Sequence, residues 1–265
     1  MLLAMARCLL RSVRVAAHLS VGVCRIQALK RHYGKHWYAL RIGRMAIRQW
    51  MAQACHIIGL KISVEGCLTG RTGQLYIANH VSWLDIIAIA SVTDSKFLSK
   101  HTVRLWPLIG WLTASIGSLF IRRQNRRAFH RSLQRIKERL QNGESICIFP
   151  EGTTTDGRRV LPFHSGLLQA AIDAGVAVQP LVLKYQDPDG VYAQHAPYYG
   201  RDVFVVHLFR LLCQRETHLR LVALPAMPQR VGANRQQLAT TLQQRIAREL
   251  AEGPVKVERL VLDVA

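Results

Sequence analysis

From residue 59 onward the chain alternates short apolar runs with helical stretches, and that alternation limits the possible folds more than any other feature. Residues 61–64, 75–78, 96–98, 118–121, 145–149, 178–183 and 219–223 are runs of strand length bounded by turn residues. Between them Phe129, Leu133, Ile136 and Leu140 recur at helical spacing, with Asn142-Gly143 as the stop. Residues 167–174 form a short apolar helix closed by Gly175, and Leu238, Leu242, Ile246 and Leu250 mark a long one near the C-terminus. Strands interleaved with helices imply an α/β fold. The expected core is a mixed, mostly parallel sheet of about seven strands, covered by helices on both faces. The uncharged window 105–121 is at the bottom of the roughly 17–25 residues a membrane span needs. Pro107, Gly110 and Gly117 interrupt it, so it reads as a buried helix, turn and strand.

Residues 1–58 have a different pattern. On a helix, Arg7, Arg11, Arg14, His18 and Arg25 fall in one narrow stripe, and the rest of the surface is apolar. A second such segment runs from Arg41 to Leu60, and between the two residues 30–38, KRHYGKHWY, mix basic and aromatic side chains. The expectation is a pair of amphipathic, membrane-associating helices whose arginines reach lipid phosphates and whose linker sits among headgroups. The chain then divides into membrane-associating helices at 1–58 and an α/β domain at 59–265.

With 36 Lys and Arg against 16 Asp and Glu, the formal charge is +20. Such a surface attracts an anionic membrane, a phosphorylated substrate or nucleic acid. No groove-reading motif supports the last, and no nucleic-acid partner is expected. A protein that binds anionic lipid or nucleic acid by charge alone, without catalysis, is the different-class alternative. The six cysteines form no C-x-x-C pair and no metal-ligand cluster, so most are expected to be buried in a reducing compartment, and no metal or other cofactor is expected.

Three segments carry chemistry. In "ANHVSWLD" (78–85), His80 and Asp85 would point about 140° apart on one continuous helix. They meet only if His80 lies in a turn after the strand 75–78 and Asp85 in the first turn of the next helix, which Asn79 or Ser82 could cap. A carboxylate on one imidazole nitrogen then leaves the other free to take a proton from a hydroxyl. In "FPEGTTTDGRR" (149–159), Glu151 follows a strand, Gly152 frees the backbone, and Thr153 to Thr155 offer hydroxyls to phosphate or alcohol oxygens. In "GSLFIRRQNRR" (117–127), a strand delivers Arg122 and Arg123 at its end, where guanidinium groups suit a phosphate. Arg126, Arg127 and Arg131 on the following helix read as a solvated basic face.

These blocks occur in a fixed order: N-H-x-x-x-x-D, F-I-x-R, F-P-E-G-T, then an apolar strand with Pro180. Together they resemble the glycerolipid acyltransferases, whose best-known members are the 1-acylglycerol-3-phosphate acyltransferases. The resemblance covers residues 57–224 and implies transfer of a fatty acyl group from a coenzyme A or acyl carrier protein thioester to a lysophospholipid hydroxyl. It implies His80 as general base with Asp85 as its partner, and Arg123 on the acceptor phosphate. It also implies Asn79, Arg122, Glu151, Gly152, Thr153 and Pro180 around the substrate. The expected place of work is the cytoplasmic face of a bacterial inner membrane, with an anionic lipid surface as partner. The sequence departs from the pattern where Arg122 replaces the usual acid of F-I-D-R, and where Phe163-His164-Ser165-Gly166 replaces F-K-x-G. The acceptor expected first is 1-acyl-sn-glycerol-3-phosphate. Lyso-ornithine lipid is the alternative, since a similar branch acylates it.

Overall fold

The computed structural model describes residues 2–68, 73–106, 109–122 and 125–252. Seven strands form where seven were expected: β1 (Leu60–Gly66), β2 (Leu75–Ala78), β3 (Lys96–Lys100), β4 (Leu119–Ile121), β5 (Ile146–Ile148), β6 (Val178–Gln186) and β7 (Thr217–Ala223). They make one sheet in the order β1-β7-β6-β2-β5-β3-β4. Neighbours are parallel except β6 and β7, which run antiparallel. The C-terminal ends of β2, β3, β4, β5 and β6 therefore lie along one edge.

Strand period explains the two cores. Leu75 and Ile77 of β2, Ile146 and Ile148 of β5, and Val178 and Val182 of β6 point to one face. Tyr76, Ala78, Cys147, Phe149, Leu181 and Leu183 point to the other. Because both faces are buried, the strands read as unbroken apolar runs. The first face is covered by α5 (Arg126–Gln141), α6 (Gln169–Ala174) and α8 (Arg235–Ala251), which contribute Ile136, Leu140, Ile172, Leu242 and Ile246. Asn125 caps α5 by accepting the Ala128 N–H, and Gly175 closes α6 in the left-handed region at φ 66°.

The second face takes α2 (Arg41–Ile58) and α3 (Leu84–Val92), through Ile47, Trp50, Met51, Cys55, Ile58, Ala88 and Ile89. Residues of the N-terminal 58 thus share a core with the sheet. The window 105–121 yields a short α4 (Ile109–Ser115), a turn and β4. Among the described residues no helix is long and apolar enough to cross a membrane.

Three expectations are corrected here. The arginine stripe of α1 (Leu2–Tyr33) turns inward in part, onto the end of α7 (Phe204–Cys213). Arg7 donates to the Cys213 carbonyl, and Arg11 to those of Leu212, Gln214 and Arg215. The last carbonyls of a helix have no partner of their own and carry partial negative charge, which draws in a guanidinium. Arg14 and Arg25 stay exposed, and so does the apolar face with Leu2, Leu3, Met5, Leu9, Leu10 and Val13. The aromatic residues of 30–38 are not all at the surface either. Trp37 and Tyr38 are buried, and Lys96 and Arg139 lie over the Tyr38 ring. Finally, only Cys55 and Cys147 are buried, while Cys24 and Cys67 are exposed.

Candidate active site

The turn between β2 and α3 brings His80 and Asp85 together. His80 Nδ1–H donates to Asp85 Oδ2 at 2.8 Å. The same oxygen accepts the backbone N–H groups of Val81 at 2.7 Å and Ser82 at 3.0 Å, and Oδ1 accepts the Tyr185 hydroxyl at 2.7 Å. Asp85 is fully buried, so its charge is held by these four donors rather than by water. Tyr185 is itself buried beside that carboxylate, and loss of solvent pushes its phenol well above the ordinary value. It remains a donor at any working pH. With Nδ1–H committed to Asp85, Nε2 is the lone-pair nitrogen.

The ring is also fixed in plane. It stacks on Phe149 at 3.9 Å between centroids with 12° between planes, and Phe149 stacks in turn near Phe97. The main chain of His80 is clasped from the third block. Its N–H donates to Glu151 Oε1 at 2.8 Å, and its carbonyl accepts the Thr155 N–H at 2.9 Å. A base held through its ring, its Nδ1 and its backbone is preorganised to accept a proton in one direction.

The remaining candidates divide sharply. Glu151 is buried, with Oε2 accepting the Leu161 N–H at 2.9 Å, so the carboxylate ties the loop to the strand end, and it forms no ion pair with an arginine among the described residues. Burial raises its pKa, and the two backbone donors act against that rise. Asn79 is buried and both donates to and accepts from the Leu183 backbone, which pins the end of β2 to β6. Neither Asn79 nor Ser82 caps α3, because the carboxylate of Asp85 takes the turn's N–H groups instead. Pro180 is buried opposite Ile77, and its carbonyl accepts the Leu224 N–H just past the end of β7. There the N–H that proline lacks costs no ladder bond. Gly152 takes φ 76° in the turn, and Thr153 points to solvent.

Arg123 lies outside the described residues. Arg122 is exposed at the end of β4 and donates to His101 Nε2 at 2.8 Å. Strand β4 is the third along from β2, about 14 Å at three spacings of about 4.8 Å, and Arg122 lines a cleft beside β4 whose lining does not include His80.

Two positioning residues gave no sequence signal of their own. Tyr185 sits a hundred residues beyond Asp85 in an ordinary apolar strand. Trp83, inside the first block, donates from Nε1 to His207 Nδ1 at 3.0 Å and packs on Phe204, so α7 braces the catalytic turn. Burial lowers the His207 pKa, which keeps the imidazole neutral and able to accept that bond.

A family model described as "Acyltransferase" matches residues 61–184. The lyso-ornithine lipid O-acyltransferase of Pseudomonas aeruginosa is 38% identical over 245 residues, which cover 91% of this chain and 92% of that protein. That of Rhizobium meliloti is 34% identical, covering 82% and 78%. The 1-acyl-sn-glycerol-3-phosphate acyltransferase of Neisseria meningitidis is 36% identical over a shorter stretch, 56% of this chain and 58% of its own. Among solved structures, the 1-acyl-sn-glycerophosphate acyltransferase of Thermotoga maritima has the same fold. The TM-score is 0.66 at 19% identity, covering 96% of this chain and 99% of that one. An ordered set of four sequence blocks, a histidine–aspartate pair across a strand-to-helix turn and a relative matched end to end lead to one assignment: the chain belongs to the glycerolipid acyltransferase family.

Proposed function

We propose that this enzyme moves a fatty acyl group from an acyl thioester to the hydroxyl of lyso-ornithine lipid. The observation that carries the chemistry is the Nε2 of His80, with no hydrogen-bond partner among the described residues, backed by Asp85 and held flat on Phe149. As the acceptor hydroxyl attacks the thioester carbonyl, Nε2 takes its proton, and the buried Asp85 stabilises the imidazolium that results. The new carbon–oxygen bond forms, the carbon–sulfur bond breaks, and the proton passes from His80 to the departing thiolate. The donor is an acyl group on coenzyme A or on acyl carrier protein.

Similarity to two lyso-ornithine lipid O-acyltransferases, one over nine-tenths of both chains and one over about four-fifths, supports this acceptor. His164 is consistent with it, standing where the family pattern F-K-x-G carries a lysine. Its backbone N–H binds the Pro150 carbonyl, which sets it beside the third block. An ornithine headgroup carries an ammonium beside its carboxylate and asks for less positive charge. The second reading, 1-acyl-sn-glycerol-3-phosphate, keeps the support of the Neisseria relative.

The enzyme works at a membrane surface, on the cytoplasmic side of a bacterial inner membrane where acyl thioesters are made. The exposed Leu2, Leu3, Leu9 and Leu10 of α1 support that placement. The test is purified protein with labelled acyl-CoA and, in parallel, lyso-ornithine lipid, 1-acylglycerol-3-phosphate and other lysophospholipids. Label on lyso-ornithine lipid, lost in His80→Ala, is the expected outcome. Label on 1-acylglycerol-3-phosphate alone replaces the acceptor, and unchanged activity in His80→Ala removes the mechanism.

A further inference from the structure

A cleft of about 340 Å³ opens beside the edge strand β4, between α5 and the single helical turn His101–Leu105. Arg104, Arg122, Arg131 and Arg135 line it together with His101, and among the described residues no acidic one does. Among the described residues none of the four arginines forms an ion pair. Arg104 lies over the Phe120 ring, and Arg122 donates to His101. Arg131 and Arg135 stand one helical turn apart on α5 and face the same space. The sequence had assigned Arg131 to an ordinary solvated face; four uncompensated guanidinium groups around one hollow make a receptor for several phosphate oxygens.

Reach decides which phosphates. The cleft is walled by β4, about 14 Å along the sheet edge from the strand that presents His80, by three strand spacings. From the hydroxyl that His80 must touch, the headgroup charge is about four bonds away in 1-acylglycerol-3-phosphate and about six to the carboxylate of lyso-ornithine lipid, each well short of a span of about 14 Å by its own length. The pantetheine arm of coenzyme A has the backbone length of four to five residues, about 15 Å at roughly 3.4 Å per residue. An acyl thioester at His80 therefore sets the diphosphate and the phosphorylated ribose at the arginines.

We infer that the Arg104, Arg122, Arg131 and Arg135 cleft binds the phosphates of the nucleotide end of acyl-coenzyme A. This deepens the acyltransferase reading and rests on its thioester donor, not on the identity of the acceptor. The same cleft makes free coenzyme A a product inhibitor competitive with the donor.

The test compares the wild type with the double variant Arg131→Gln/Arg135→Gln, both at exposed helix positions. The donors are acyl-CoA, acyl-(3′-dephospho)-CoA and acyl-pantetheine, which has the arm and no phosphate. In the variant KM for acyl-CoA rises about tenfold or more, as loss of charge-assisted contacts implies. KM for acyl-pantetheine and for the acceptor stays unchanged, which also shows that the variant is folded. In the wild type the dephospho donor falls between the other two. Free coenzyme A, titrated without any acceptor, binds the wild type and binds the variant about tenfold or more weakly. Binding with no acyl transfer to either lysolipid leaves the cleft in place and removes only the acceptor. An equal rise for acyl-pantetheine, a rise in acceptor KM, or a rise confined to acyl carrier protein as donor overturns the assignment. So does loss of binding to anionic vesicles with every donor KM unchanged.

Discussion

At the scale of single residues, the site depends on one buried carboxylate that satisfies four donors at once. Asp85→Asn keeps the shape, because an amide oxygen can take the place of Oδ2 and the Tyr185 hydroxyl can accept from the amide nitrogen. What it removes is the negative charge behind the imidazolium. We expect kcat to fall about a hundredfold or more with KM for the acceptor little changed, measured in steady-state acyl transfer. Tyr185→Phe removes one donor from Oδ1 and costs about 1–3 kcal/mol in a urea titration, with a smaller loss of rate. A second buried charge tests the packing of the N-terminal segment. Burial lowers the Lys96 pKa to about 8, while its ammonium donates to the Tyr38 carbonyl. Below pH 8 the lysine is charged in both folded and unfolded chains, and the full cost of burying the charge is present. Between about pH 8 and 10.5 the folded chain has lost the proton and the unfolded chain still holds it, so this residue's share of stability rises with pH. Subtracting a Lys96→Met series from the wild type isolates that rise, at most about 3–4 kcal/mol in unfolding free energy.

At the scale of elements, burial on both faces is what made the sheet readable. Runs such as Leu75 to Ala78 have no polar face to confuse with a loop, and all seven strands fall where such runs occur. The helices behaved differently. In α5 the spacing of Ile136 and Leu140 and the cap at Asn125 agree, so its limits were legible. In α7 the N-cap position is Val203, with no side-chain bond, and the run is apolar enough to pass for a strand or a loop, so nothing announced it. The stripe of α1 was legible as a stripe, but a helical wheel cannot say which side faces a partner. Tertiary contact decided that, with Arg11 placed against the unpaired carbonyls at the end of α7. Arg11→Ala should therefore loosen α1 and α7 together. Hydrogen exchange at both helices should quicken by about tenfold or more while the central strands keep their protection, because three charge-assisted bonds cap that end.

At the scale of the whole molecule, the same contact sets the direction in which the enzyme faces. The catalytic block was legible from sequence because chemistry and turn geometry both demand a fixed spacing from His80 to Asp85. The orientation of the site was not, since it depends on surfaces built from distant segments. Packing of α1 on α7 leaves Leu2, Leu9 and Leu10 exposed on one helix and Val205, Val206 and Phe209 on the other. Trp106, also exposed, reaches the same region through Phe204, which touches Trp83 of the catalytic block. At the proposed membrane surface, each large side chain of this set taken from water would contribute about 1.5–3 kcal/mol to insertion. The +20 charge adds attraction to anionic lipid. Leu9→Asp combined with Val206→Asp places two carboxylates in that face at exposed positions that take no part in the hydrogen bonds of His80 and Asp85. Cosedimentation with anionic vesicles should fall by about tenfold or more. Activity should fall in parallel on vesicle-borne acceptor and should persist on the same acceptor presented in detergent micelles. Vesicle binding that survives both substitutions would move the membrane contact to another face, whereas activity lost in micelles as well would place α7 within the catalytic machinery through its brace on Trp83.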